Sequence, residues 1–193
     1  MKQLTLFIAA ILFSFSLIAQ ERGYEIVPVK DKCLALIIGN GTYESGGSLG
    51  NQPINDANDM KHKLQKLGFD VMILTNASKR QMDEKINEFG KKLPAYCVGL
   101  IFYAGHGLQV NNQNYLVPVD AVIESESDVP YTCVPAGRML GKMNDAQNDL
   151  NIVILDACRN NPFERKWTGR SIGEPGNGLA KMDAPKGTLI SYA

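Results

Sequence analysis

Two hydrophobic periods alternate along this chain. Continuous apolar runs occur at Lys32–Asn40 (KCLALIIGN), 69–76 (FDVMILTN), 96–107 (YCVGLIFYAGHG) and 150–158 (LNIVILDAC), with a shorter one at 187–193 (GTLISYA). Such runs predict strands covered on both faces. Between them, apolar residues recur every three or four positions. Ala57, Met60, Leu64 and Leu67 mark a helix over 55–68, and Met82, Ile86, Phe89 and Leu93 mark another over 79–93. Each presents one apolar stripe to a core. Asn55 or Asp56 is placed to cap the first helix, Gly68 to end it and Pro94 to end the second. After a long irregular stretch, AGRMLGKMNDAQ (136–147) predicts a third helix. Strand, helix, strand, helix, strand, loop, helix, strand is an α/β order, an αβα sandwich around a mostly parallel sheet. In such sheets ligands bind beyond the carboxyl ends of the strands. Gly39, Asn40 and Tyr43 follow the first strand, His106 follows the third between Gly105 and Gly107, and Asp156, Cys158 and Arg159 follow the fourth.

The two ends depart from this pattern. Lys2 precedes an apolar stretch from Leu4 to Ala19, broken only by Thr5, Ser14 and Ser16 and followed by the polar QERGYE. That layout reads as a secretory signal peptide over 1–19, cleaved after Ala19, with 20–31 as a short linker and 32–193 as the domain. Localisation is then periplasmic or extracellular, with no stable membrane insertion after cleavage. The alternative is a retained anchor over 4–19, although a span needs about 20 apolar residues. At the other end, GTLISYA stops on a β-like run with no cap or polar tail, so the domain reads as incomplete at its C-terminus.

Composition narrows the function classes. The chain has 193 residues, 45% hydrophobic and 21% charged, the mixture of one globular domain. Lys plus Arg and Asp plus Glu are 20 each, with no dense basic block, which argues against nucleic acid as a partner. Cys33, Cys97, Cys133 and Cys158 are too few for a disulfide scaffold at this length, and Cys33 and Cys97 sit in apolar runs as if buried. No metal is assigned: Cys and His do not arrive in the close pairs that zinc sites use. GNGTYESGGSLG lacks the Lys-Ser/Thr of a phosphate loop, and no G-x-S-x-G elbow occurs.

What remains is a histidine and a cysteine at two strand ends. His62 lies between Lys61 and Lys63 on a helix and reads as solvent-facing. His106 leaves the most hydrophobic strand between two glycines, which let a bound group approach the backbone closely. Cys158 ends a strand with Asp156 two residues earlier, where a thiol can reach solvent and react. A cysteine nucleophile needs an imidazole to take its proton and later protonate the leaving amine. The separation of 52 residues fits one loop, one helix and one strand.

FYAGHG followed by LDACRNNPF, together with ALIIGNGTY, NDANDMKHKLQKLGFDV, YLVPVDA and GTLISYA, resembles the caspase-like cysteine peptidases of clan CD. Within them the chain is most similar to the bacterial metacaspase-like (orthocaspase) branch. True caspases carry Q-A-C-[RQG]-G, whereas this chain has Asp156-Ala157-Cys158-Arg159-Asn160. The resemblance implies a six-stranded sheet in which GTLISYA is the fifth strand and the last is missing. It implies Cys158 as nucleophile, His106 as its base and acid, and the backbone N–H groups of Gly107 and Cys158 as the oxyanion hole. Asp56 and Asp156 match acidic residues lining the S1 pocket, which implies protein or peptide substrates cut after Arg or Lys. A helix cap is the plain alternative for Asp56, and a turn-shaping hydrogen bond for Asp156. No cofactor is required for the chemistry. Calcium as an activator stays open, with Glu124–Asp128 (ESESD) as its ligand source. Arg165, Lys166, Arg170 and Lys181 offer bonds for self-cleavage. A catalytically incompetent binding or scaffold domain is the alternative function.

Overall fold

A computed structural model describes residues 31–158, Phe163 and residues 179–192, with Cys158 described through its backbone alone. The signal peptide, nearly all of the linker and three proposed cleavage positions, Arg165, Lys166 and Arg170, lie outside the described residues.

The apolar runs form the expected strands: β1 (Cys33–Gly39), β2 (Phe69–Thr75), β3 (Val98–Val110), β6 (Leu150–Cys158) and β7 (Thr188–Tyr192). They pair in parallel in the order β2-β1-β3-β6-β7. Two strands were not foreseen, β4 (Gln113–Leu116) and β5 (Val134–Pro135), which extend the sheet from the far half of β3 in antiparallel register. Within 108–135, taken from the sequence as irregular, Asn111 and Asn112 have φ of 50° and 61°. Positive φ at both central residues is the tight two-residue hairpin turn that Asn tolerates. His106 therefore sits inside a long strand rather than after it.

Four helices are described: α1 (Gln52–Lys66), α2 (Lys79–Lys92), α3 (Val129–Thr132) and α4 (Ala136–Ala146). Neither Asn55 nor Asp56 caps α1. The helix starts three residues before 55, where Pro53 presets φ in the first turn, and Asn51 occupies the cap position without a side-chain bond. Gly68, at φ +83°, follows its end as expected. In α2 Ser78 and Gln81 make a reciprocal capping box. Pro94 lies within a 3₁₀ turn, Leu93–Ala95, that continues from α2.

Helix α1 covers one face of the sheet, packing Ala57 and Leu64 against Ala35, Ile37, Leu100, Phe102 and Ala104. The opposite face carries α2 and α4, whose Met82, Ile86, Phe89, Met139 and Met143 are fully buried on Leu36, Ile38, Ile101, Tyr103 and Val153. Arg138 of α4 pairs with Asp83 of α2, joining the helices of that layer. A third cluster, with Tyr43, Leu108, Val110, Tyr115, Val117 and Phe163, fills the space around the β3–β4 hairpin. Cys33 and Cys97 are half-buried rather than sealed, and Cys133 is the buried free thiol of the described residues. No described helix is long and apolar enough to cross a membrane.

Candidate active site

The parallel ladder between β3 and β6 runs in unbroken register from Val98 opposite Leu150 to His106 opposite Cys158. Adjacent strands lie about 4.8 Å apart. The two residues singled out by the sequence therefore share the last rung at the carboxyl end of the sheet. His62 is exposed on α1, away from this rung.

His106 is 5% exposed and is held at three points. Its Nε2 lies 2.9 Å from the Gly47 carbonyl oxygen, which can only accept, so Nε2 carries the proton. Nδ1 has no hydrogen-bond partner among the described residues. The backbone N–H of His106 donates to Tyr43 Oη at 2.7 Å, and that hydroxyl donates to the Asn40 carbonyl at 2.9 Å. The His106 carbonyl accepts from Tyr103 Oη at 2.7 Å. Burial pulls the imidazole pKa below its ordinary value, partly offset by the Gly47 carbonyl. The result is a neutral ring with a defined tautomer and an accepting nitrogen.

The glycines on either side have separate reasons to be glycine. Gly105 has φ +155°, and a Cβ there would come within 2.6 Å of Tyr43 Oη and 2.7 Å of Tyr103 Oη. At Gly107 a Cβ would come within 2.9 Å of Ala157 Cβ and of Leu179 Cδ2. Bare backbone at Gly107 lets β3 approach the strand that carries Cys158.

Sequence reading pointed to Asn40 and Tyr43 as residues beyond β1, but not to their roles. Asn40 is wholly buried. Its amide donates to the Val117 carbonyl at 3.1 Å and accepts from the Ala77 N–H at 2.9 Å, tying three segments beneath the site. Gly47 and Tyr103 were missed. A backbone carbonyl leaves no side-chain signature, and Tyr103 reads as one more apolar strand residue. Phe163, also missed, is fully buried against Gly46, where any Cβ would collide with its ring. That contact anchors the loop whose next carbonyl holds His106.

The two acidic residues are placed differently from each other. Asp156 is exposed on β6, opposite Ala104, which is in turn opposite Gly39. It continues the alternation of Ile152 and Ile154, which face α1. Asp56 lies on α1, half-buried, and accepts from Gln52 Nε2 at 3.0 Å. The start of α1 rests on the same rung, because a Cβ at Gly39 would strike Pro53 O and Ala57 Cβ. Asp156 thus lies on the α1 side of the carboxyl edge, and Asp56 lies in the early turns of the helix that packs on that side.

In Glu124–Asp128, Asp128 Oδ2 accepts from the backbone N–H groups of Glu124 and Ser125 and from Ser125 Oγ, shaping a turn. No group of three His, Cys, Asp or Glu among the described residues converges to hold a metal. These donors do not fit a calcium cage as arranged. Lys181 is exposed outside regular structure.

A family model for the caspase domain matches residues 32–193. Mucosa-associated lymphoid tissue lymphoma translocation protein 1 of Homo sapiens is 33% identical over 130 residues, covering 67% of this chain and 15% of that protein. Caspase a of Danio rerio is 28% identical over 177 residues, covering 82% of this chain and 42% of that protein. The crystal structure of the Drosophila initiator caspase Dronc matches with a TM-score of 0.51 at 12% identity, covering 63% of this chain and 47% of that one. The chain spans less than half the length of these relatives.

Proposed function

The chain belongs to the caspase domain family, and on that premise we propose that it is a cysteine endopeptidase of the metacaspase-like branch, cutting after Arg or Lys through Cys158 and His106. The observation that carries this reading is the terminal rung of the β3–β6 ladder, His106 opposite Cys158, beside an imidazole nitrogen without a partner among the described residues.

The chemistry follows from the tautomer. With the Nε2 proton held by the Gly47 carbonyl, Nδ1 takes the Cys158 thiol proton as the sulfur attacks the scissile carbonyl. The backbone N–H groups of Gly107 and Cys158 receive the developing oxyanion. The imidazolium then gives its proton to the departing amine, leaving a thioester on Cys158. Water, deprotonated by Nδ1, attacks the thioester and releases the new carboxyl end. Asp156 and Asp56 receive the P1 side chain; two carboxylates on one side of the edge suit the fork of an Arg and repel an Asp. No step requires a metal or cofactor.

The test is a panel of fluorogenic peptides varied at P1, run with and without calcium. Arg and Lys should be cleaved and Asp ignored. A hydrogen bond to a charged group is worth about 1.5–3 kcal/mol, so Asp156→Asn should lower kcat/KM on Arg substrates roughly 10- to 100-fold. Equal activity in Asp156→Asn, or preference for Asp at P1, overturns the pocket assignment. No turnover, with Cys158 alkylated no faster than a free cysteine, replaces the peptidase with a binding module.

A further inference from the structure

The mechanism uses one cysteine and leaves three. Cys133 is fully buried at the end of α3, and burial pushes its thiol up to about 12, which makes it inert packing. Cys33 and Cys97 differ from it in position and access. Cys33 is the first residue of β1, and Cys97 immediately precedes β3, the neighbouring strand. The Cys97 backbone N–H donates to the Lys32 carbonyl at 2.9 Å, and Cys33 is the register partner of Val98. The two cysteines are therefore diagonal neighbours, Cys33 in β1 and Cys97 in the bend that leads into β3, outside that strand's alternation of faces. A strand spacing of about 4.8 Å and a rise of about 3.3 Å put their Cα atoms roughly 5.8 Å apart. Disulfides span about 4.4–6.8 Å between Cα atoms. Cys97 Sγ reaches back toward β1, 3.1 Å from the Lys32 carbonyl.

We propose that Cys33 and Cys97 form a redox site, a dithiol that a low-molecular-weight disulfide converts into an intrachain disulfide joining β1 to β3. Thiolate of one cysteine attacks the small disulfide, forming a mixed disulfide and expelling one thiolate. The second cysteine attacks the protein sulfur of that bond, closing the intrachain disulfide and expelling the other. Two protein thiols are oxidised and one small disulfide is reduced to two thiols, which take up the two protons. Both cysteines are part-exposed, so the reagent has access. The Cys33 pKa is raised, by burial first and then by the adjacent Cys97 thiol, in keeping with this placement.

The site lies at the amino ends of the strands. From Val98 to His106 is eight residues, about 26 Å of strand, so the bond closes at the pole opposite the peptidase chemistry. The inference is independent of the peptidase reading.

The test treats the chain, in a Cys158→Ser background, with oxidised glutathione, then alkylates the remaining thiols and maps unreduced peptides. Two alkylation sites should disappear together, the mass should fall by two hydrogens, and one peptide should join Cys33 to Cys97. Tm should rise by roughly 5–10 °C and return with dithiothreitol. Cys33→Ser and Cys97→Ser should each abolish the linked peptide and stop at a glutathione adduct on the cysteine that remains. Glutathione adducts retained on both cysteines of the background protein, or both still alkylated after oxidation, would overturn the proposal.

Discussion

His106 draws its properties from groups that are individually unremarkable in sequence: a glycine carbonyl, two tyrosine hydroxyls and a buried asparagine. Because burial lowers its folded pKa, the unfolded chain binds the proton more tightly. Protonation therefore favours unfolding. The contribution of the neutral ring is present above the unfolded value of about 6.5 and is lost as pH falls through the lower folded value. Tm should fall between pH 7.5 and pH 5 on this account, and His106→Gln should flatten that limb. An unchanged limb in His106→Gln would assign it elsewhere. Glu88, pulled down to about 2 by Lys92 and Lys85, belongs to a separate acid region.

Strand β3 performs two tasks in succession. Val98 to Ala104 lies between β1 and β6 as a buried parallel strand, and Gly107 to Val110 turns to pair with β4. Gly105 is the junction, so Gly105→Ala should strain the backbone and displace the hydroxyls that hold His106. Urea unfolding should show a loss of about 2–4 kcal/mol, and a change below about 0.5 kcal/mol would mean that the junction relaxes freely. The same strand shows what could be read beforehand. Its apolar half was legible because burial on both faces writes a continuous run, and α1 and α2 were legible from their stripes. The β4 hairpin was not, since QNYL is short and half polar, and its register depends on two asparagines with positive φ. Cys158 and His106 stood out by residue type and by their place at strand ends. Gly47 and Phe163 act through a carbonyl and a ring packed on a glycine, contacts that only the folded chain brings together. The cap expected at Asp56 failed because Pro53 starts the helix earlier.

At the scale of the molecule, the edge that carries His106 and Cys158 is assembled from segments far apart in the chain, and its consequences are best tested on the whole protein. If the peptidase reading holds, the chain should cut itself after Arg165, Lys166, Arg170 or Lys181, and Cys158→Ala should stay intact. Mass spectrometry of both expressed proteins checks this, and cleavage that persists in the alanine variant assigns the cut to another protease. The same spectra read the other end: export predicts a secreted chain beginning at Gln20, and a cytoplasmic chain beginning at Met1 counts against it. The register of the sheet also has a consequence for time. Cys33 must find Val98, 65 residues away, and Val98 must find Leu150, another 52 along. Closing such distant parallel pairs is slow, because chain entropy is lost before the contacts form. His106 and Cys158 occupy the final rung of the second ladder, so on the peptidase reading the proposed nucleophile and base meet only when β6 is seated along its full length. On that reading a nascent or half-folded chain lacks the pair, and proteolysis would begin only with the finished domain.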